Sequence, residues 1–105
     1  MSFKLQFTEL RPSTAVQFYD FPQEILTYIL DTYGIDTNPS KFWTMSPDGL
    51  TRSGIAEFVS EQNMNRFNSD AKLLNASIIK EQECNNNGIV RNINLIQVNQ
   101  DPVVL

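Results

Sequence analysis

The side chains that most often carry out catalysis are scarce in this chain. Its 105 residues contain no histidine and a single cysteine, Cys84. Without histidine the chain lacks the usual general base near neutral pH and every Ser-His or Cys-His nucleophile pair. Imidazole is also the commonest side-chain ligand for zinc and haem, so the sequence predicts neither a metal nor a cofactor. These absences weigh against most hydrolases and metalloenzymes.

The remaining reactive groups have ordinary structural explanations. Glu81 and Glu83 are two apart in a predicted helix, where side chains at that spacing do not face one another, so we expect both in solvent. Cys84 lies near the predicted end of this helix, where the dipole and the two acids disfavour a thiolate, so its thiol is predicted to be inert. Gly49 and Gly54 do not form a phosphate loop, because the required Gly-Lys ending is absent. The sequence therefore predicts no catalytic residue.

Charge and cysteine content restrict the partners and the compartment. Twelve acidic and eight basic residues give a net charge of −4, and the basic residues are dispersed along the chain. A nucleic-acid-binding protein needs a stripe of Lys and Arg that neutralises phosphates, so no nucleic acid is predicted. A lone cysteine precludes an internal disulfide and indicates a reducing, cytoplasmic setting. No apolar stretch approaches the roughly 18 residues of a membrane span, so neither membrane association nor a standard export signal is predicted.

Hydropathy spacing predicts where the first elements lie. Apolar side chains alternate with polar ones from Phe3 onward, which indicates a strand at about 2–10 with one buried face. Asp20 is a predicted N-cap. The apolar spacing that follows predicts a helix to about Tyr33, closed by Gly34 in a left-handed conformation.

The second half of the pattern is a hairpin, a helix and a strand. Residues 42–45 are predicted as a short strand that ends in a turn at 46–49, where Pro and Gly occupy positions that suit their φ angles. After the turn, a return strand is predicted at 50–59 and a helix at 60–85. This helix opens with Ser60 as cap and is kinked or restarted at 68–70. A last strand is predicted at 89–98.

The predicted order of elements is β-α-β-β-α-β. This is the order of the ferredoxin-like split βαβ fold, in which two crossovers put both helices on one face of a four-stranded antiparallel sheet. The sequence therefore predicts an α+β fold of this ferredoxin-like class. Residues 1–99 are predicted to form a single domain, and residues 100–105 a short apolar C-terminal tail.

The predicted core combines the inward face of the first strand with one stripe of each helix. Truncating Phe67 to alanine is expected to cost about 3–5 kcal/mol if the ring is fully buried. The predicted core residues are Phe3, Leu5, Phe7, Ile25, Leu26, Ile29, Leu30, Phe58, Phe67, Leu74 and Ile78.

One segment resembles a known superfamily. Residues 50–67, with Ser60-Glu61 after the strand and Phe67 on the following helix, resemble the strand-then-helix unit of dimeric α/β-barrel proteins. The resemblance implies two ferredoxin-like sheets packed face to face. Members that are monooxygenases or haem-degrading enzymes place His, Asn and Trp in the cavity, and this chain has Trp43 and several Asn but no His. In composition, the Asn-rich, weakly charged chain also resembles small proteins of large tailed bacteriophages.

The function that these patterns favour is a protein contact. We expect a non-enzymatic interaction protein, structural or accessory and viral in the phage case, that acts as a homo-oligomer or in a complex in the host cytoplasm or a virion. The partner is predicted to cover the sheet face away from the helices, with Trp43 near the centre of the contact. The predicted interface residues are Trp43, Met45, Val103, Val104 and Leu105.

The alternative is a cofactor-independent monooxygenase-like enzyme or a small-ligand binder of the dimeric α/β-barrel type. Trp43 would then form an aromatic wall of a ligand cavity. The two functions differ in one observable feature. A binder or an enzyme needs a closed cavity with a perturbed polar group, whereas a contact protein needs a flat or grooved apolar patch.

Overall fold

The computed structural model describes residues 2–98, in which one antiparallel sheet of four strands packs with helices. The strands are β1 Ser2–Leu10, β2 Thr44–Met45, β3 Thr51–Phe58 and β4 Val90–Val98. The helices are α1 Gln23–Tyr33, α2 Pro39–Phe42, α3 Glu61–Asn68 and α4 Ala71–Asn86. The strand order is β2-β3-β1-β4, so β1 and β3 are central and β2 and β4 are the edges. The predicted α+β class with a four-stranded antiparallel sheet is confirmed.

The predicted C-terminal tail at 100–105, with Val103, Val104 and Leu105, lies outside the described residues. Within residues 2–98, every helix is too short or too polar to cross a membrane.

The pairing register divides the sheet into two faces. Phe3 pairs with Phe58 and Leu5 with Ala56, and all four side chains belong to the core or pack against it. Because side chains alternate along a strand, the residues between them point to the opposite side. We call the core side the helix face and the opposite side the open face, which carries Lys4, Gln6, Thr8 and Ile55.

The core is centred on the helix face and on one stripe of α1. Four of the predicted core residues are buried, namely Leu5, Ile25, Ile29 and Phe58. Phe3, Phe7 and Phe67 are partly buried and pack against this core. The prediction is wrong for Leu30, Leu74 and Ile78, which are about half exposed.

The error at Leu74 and Ile78 comes from a helix break. The described residues form four helices where two were predicted. α2 is additional, and the second predicted helix is divided into α3 and α4 at the kink or restart expected at 68–70. Asp70 lies between them, and its side chain accepts hydrogen bonds from the backbone N–H groups of Lys72 and Leu73 at 2.9 and 3.3 Å. This N-cap starts a new helix, so the apolar stripe of α3 does not continue. The buried row of α4 is Leu73, Ala76, Lys80 and Cys84.

The predicted strand at 42–45 is also shorter than expected. The side chain of Asn38 accepts a hydrogen bond from the Ser40 N–H at 3.0 Å, and Pro39 follows at the first helical position. These residues start the short helix α2, which takes Phe42 out of the strand. β2 therefore contains only Thr44 and Met45, and Trp43 lies between helix and strand.

Three local signals are confirmed. Gly34 closes α1 with a φ of 72°, in the left-handed region. Ser60 caps α3, because its hydroxyl accepts a hydrogen bond from the Asn63 N–H at 3.1 Å. The turn at 46–49 joins β2 to β3, and its Gly49 N–H donates to the carbonyl of Ser46 at 3.0 Å.

Candidate functional site

Four charged side chains meet at one end of the helix face, and we call them the charge cluster: Glu9, Arg52, Lys80 and Arg91. Glu9 is only 2% exposed. Its Oε1 atom accepts from Nη2 and Nε of Arg52 at 2.7 and 2.8 Å. Its Oε2 atom lies 2.8 Å from Nζ of Lys80 and 3.4 Å from Nε of Arg91. One buried carboxylate is thus shared by three cations.

The cluster follows directly from the register of the sheet. Glu9 occupies the next inward position of β1 after the apolar ones, and it pairs with Arg52 on β3 and with Arg91 on β4. Side chains that are paired in this way project from the same face and lie close enough to interact. Lys80 reaches the cluster from α4, where it belongs to the buried row of that helix.

Two further carboxylates bind the cluster from the solvent side. Asp20 Oδ1 lies 2.8 Å from Nη1 of Arg52, and Glu81 Oε2 lies 2.9 Å from Nη1 of Arg91. Both acids are 40% exposed or more, so water screens their charges more than that of Glu9. The prediction that Asp20 caps α1 is wrong. That helix starts after Pro22 without a side-chain cap.

Aromatic rings surround two of the cations. The guanidinium carbon of Arg52 lies 4.1 Å from the ring centre of Trp43 and 4.5 Å from that of Phe18. The ammonium of Lys80 lies 4.9 Å from the ring centre of Phe21 and 5.3 Å from that of Trp43. These distances are within the range of cation–π attraction. Arg52 and Lys80 are therefore packed against aromatic rings.

A cavity of about 290 Å³ adjoins the cluster, between the helices and the helix face of the sheet. Most of its walls are apolar, and every helix and three strands contribute to them. Charged lining groups are Asp20, Lys80 and Arg91. Its apolar lining includes Phe21, Phe42, Trp43, Ala56, Leu73 and Ile93.

The missing side chain at Gly54 shapes one wall of the cavity. A Cβ atom at Gly54 would overlap the ring of Phe42. The glycine therefore lets this ring lie directly on β3, where it contacts Trp43 edge-on with ring centres 4.9 Å apart. Phe42 and Trp43 are thereby held as lining residues.

The ammonium of Lys80 is incompletely hydrogen-bonded. It has three N–H donors, and Glu9 is the one acceptor that the described residues provide. Its side chain is 4% exposed, so water has little access to the other two donors. Burial lowers the pKa of Lys80 below its usual value, and Arg91 and Arg52 act in the same direction, while the charge of Glu9 opposes the shift. Lys80 is thus a perturbed polar group that lines a cavity.

Thr37 supplies a second unsatisfied group. Its Oγ1 atom is buried, lies in a residue that lines the cavity, and has no hydrogen-bond partner within the described chain. Buried hydroxyls are normally paired. The lining residues Leu74 on α4 and Ile93 on β4 are 48% and 56% exposed, so the cavity is open to solvent on this side.

The predicted interface residues have different positions in the structure. Trp43 lies over the helix face against Arg52, so the prediction that it is centred on the open face is wrong. Met45 pairs with Arg52 in register and is about half exposed at the β2 edge. Whether either residue contacts a partner stays a prediction. Cys84 is fully buried, and this burial raises the pKa of its thiol.

Sequence reasoning missed the charge cluster, although a signal was present. Glu9 continues the series of alternate residues of β1 that point to the core. Arg52 lies an even number of positions from Ala56 and Phe58 along β3, so its side chain points to the same side as theirs. A charged residue at an inward strand position is rarely left unpaired. Two such residues of opposite sign on adjacent strands therefore predict a buried ion pair.

Comparison of the chain with protein-family models, with curated proteins and with solved structures gives no match. Within residues 2–98, no group of three or more His, Cys, Asp or Glu side chains is arranged to hold a metal ion. The site has to be interpreted from its own geometry.

Proposed function

We propose that this protein is a small-ligand-binding domain whose ligand occupies the cavity between the helices and the sheet. The observation that carries the proposal is the cavity of about 290 Å³ with mostly apolar walls. Ligand sites are concave and apolar and contain a few polar groups that orient the ligand. This is the ligand-binding alternative that the sequence left open.

Two observations support an orienting role for the polar groups. Lys80 has donors without acceptors, and Thr37 Oγ1 has no partner within the described residues. An unpaired buried polar group costs about 1–3 kcal/mol, and a ligand atom that pairs with it recovers that energy. A ligand with both apolar and polar parts matches these features.

Titration with 1-octanol, a neutral apolar probe, tests the proposed function. Calorimetry or NMR should detect one site per chain. Ser77 lines the cavity from α4, so Ser77→Phe should fill it and abolish binding. Asn75→Phe is the matched control, because Asn75 is exposed on the same helix and does not line the cavity. Binding that survives in both variants, or is absent from the wild type, contradicts the proposal.

We further propose that the architecture is ferredoxin-like, the finer class expected from the sequence. The support is that β1 and β3 are each followed by helical chain and are the two central strands of the antiparallel sheet. On this interpretation α2 is an insertion before β2. The second helix of the β-α-β-β-α-β order is then divided into α3 and α4.

Self-association through the β4 edge is our second candidate function. β4 is an outer strand of nine residues, and it contains neither Pro nor Lys, which commonly protect such an edge. Ile93 and Leu95 of β4 are both more than half exposed, although they occupy strand positions that belong to the helix face of the sheet. A structural or accessory protein, viral or otherwise, would use a contact of this kind.

The sequence of β4 matches a second copy of itself. If two β4 strands pair antiparallel about Asn94, Ile93 of each copy lies opposite Leu95 of the other on the same face. Apolar cross-strand pairs of this kind stabilise a sheet. The pairing would extend the sheet from four strands to eight and cover the exposed pair.

Sedimentation at micromolar concentration tests this second candidate. The wild type should be a dimer and Leu95→Lys a monomer. Val59→Lys should remain dimeric, because Val59 follows the end of β3, and β1 lies between β3 and β4 in the sheet. A wild-type monomer contradicts self-association. A dimer broken by Ile55→Lys but not by Leu95→Lys would move the contact to the open face.

A further inference from the structure

The polar side of the cavity is built for negative charge. Lys80 and Arg91 line it, and the carboxylate that holds both of them, Glu9, stands behind them and is not part of the lining. The charged groups that line the cavity are these two cations and one acid, Asp20, which is 40% exposed and pairs with Arg52. Water screens the charges of Asp20 and of Glu81, which is 51% exposed, more than it screens those of the buried cations. The cavity lining therefore carries an excess of positive charge.

The two lining cations keep N–H donors for a ligand. Lys80 has Glu9 as its one acceptor within residues 2–98, and the ring centres of Phe21 and Trp43 lie 4.9 and 5.3 Å from its ammonium. Arg91 contacts Glu9 through Nε at 3.4 Å and Glu81 through Nη1 at 2.9 Å, and its Nη2 forms no ion pair with the described residues. Hydrogen bonds from such cations to an anionic acceptor are shorter and stronger than those between neutral groups.

We propose that the ligand of this cavity is an apolar carboxylic acid, whose carboxylate is bound by Lys80 and Arg91 and whose hydrocarbon part fills the apolar remainder. This inference rests on the proposed function and specifies its ligand class. Glu9 acts as a positioning residue, since its Oε2 atom contacts both cations, at 2.8 and 3.4 Å. The apolar part contacts Phe21, Phe42 and Trp43, three of the rings that line the cavity.

Three probes of one chain length separate charge from apolar fit: octanoate, 1-octanol and octylammonium, all at pH 7. Calorimetric titration should find octanoate about tenfold tighter than 1-octanol or better, the value of one hydrogen bond to a charged group. Octylammonium should bind more weakly than the alcohol, because it meets like charges.

The variant that isolates the cation is Lys80→Met. It keeps an apolar chain of similar shape, and Glu9 retains Arg52 and Arg91 as partners. We expect octanoate affinity to fall toward that of 1-octanol, because Arg91 alone then binds the carboxylate, while 1-octanol affinity is unchanged. Lys72→Met is the matched control, since Lys72 is exposed on the same helix and does not line the cavity. If Lys80→Met does not fold, Arg91→Gln replaces it with the same expected loss.

The outcomes distinguish this inference from the function on which it rests. Equal affinity of wild type for octanoate and 1-octanol overturns the carboxylate assignment and leaves ligand binding intact. An equal loss of both probes in Lys80→Met also overturns it, because the lysine would then act through packing alone. Absence of binding by all three probes overturns the proposed function itself.

Discussion

The Nζ atom of Lys80 lies 2.8 Å from Oε2 of Glu9, and both side chains are almost completely removed from water. The ammonium stands between this carboxylate on one side and the aromatic lining of the cavity on the other. The structural role of Glu9 and the binding role proposed for Lys80 are therefore coupled through a single contact.

Glu9→Gln should be strongly destabilising. It removes the buried anion of the charge cluster and leaves Arg52, Lys80 and Arg91 adjacent without it, and breaking a buried ion pair costs about 3–5 kcal/mol. Urea unfolding measures the loss. Glu83→Gln is the control, because Glu83 is exposed and should change the free energy of unfolding by less than about 0.5 kcal/mol. A loss below about 1 kcal/mol for Glu9→Gln contradicts the central position of the carboxylate.

The buried face of α4 can be tested with two adjacent leucines. Leu73 is 6% exposed and Leu74 is 48% exposed. Leu73→Ala should therefore cost about 2–5 kcal/mol and Leu74→Ala less than about 1 kcal/mol. The measurement is denaturant unfolding of both variants side by side. A larger loss for Leu74→Ala than for Leu73→Ala would instead support the sequence-based prediction that Leu74 belongs to the core.

Asp70 should make the free energy of unfolding fall at acid pH. The hydroxyls of Tyr28 and Tyr33 each donate to its Oδ2 at 2.6 Å, and its Oδ1 caps α4. Burial tends to raise the pKa of Asp70, but these hydrogen bonds outweigh it and hold the pKa below the usual 3.8. Because the pKa of Asp70 is lower in the folded state, its ionised carboxylate stabilises the fold. This contribution to the free energy of unfolding is complete above the pKa of Asp70 in the unfolded chain, and it is lost as the pH falls through the pKa in the folded state.

Urea unfolding at a series of pH values tests this dependence. Asp70→Asn should lose less stability than the wild type below about pH 4, whereas Asp31→Asn, at an exposed site on α1, should follow the wild type. Identical acid profiles for Asp70→Asn and wild type would contradict the account.

The same contact predicts a loss of stability in alkali. Burial and the hydrogen bond to Asp70 raise the pKa of Tyr33 from 10.0 to about 12. A raised folded-state pKa gives stability that is complete below pH 10 and is lost as the pH rises toward 12. Tyr33→Phe removes the titrating group, so its unfolding free energy should change less than that of the wild type across this interval. Equal alkaline slopes for the two proteins would argue against the contact.

Gly54→Ala should disturb the cavity wall. The added methyl group would overlap the Phe42 ring, and such overpacking costs about 1–3 kcal/mol. Ser53→Ala, on the neighbouring position and the opposite face, should be nearly neutral. The double variant Gly54→Ala/Phe42→Leu should recover part of the loss, since the smaller side chain makes room. Strict additivity of the two single changes would show that the residues do not interact.

The sequence was most informative where local chemistry decides the structure. The alternation that begins at Phe3, the cap at Ser60 and the turn before β3 are each encoded within a few residues. The face of α4 was not predictable from periodicity alone, because the Asp70 cap restarts the helix and changes which residues point inward.

The candidate site was harder to predict because it combines distant positions. Glu9, Lys80 and Arg91 come from β1, α4 and β4, and their meeting depends on register and helix rotation. Trp43 was predicted at an interface or, in the alternative, in the wall of a ligand cavity, and the structure places it in the cavity lining. Its location depends on the short helix α2, which starts with Asn38 as cap and Pro39 at the first helical position.

The position of β1 has a consequence for the chain as it leaves the ribosome. β1 is made before the other strands of the sheet, yet it lies between β3 and β4, which are made later. Until residues 90–98 have emerged, one edge of β1 has no strand to accept its hydrogen bonds and Glu9 lacks Arg91. Long-range pairing of this kind forms late. The nascent protein therefore completes this sheet only after β4 has been synthesised, and until then water satisfies the hydrogen-bonding groups on that edge of β1.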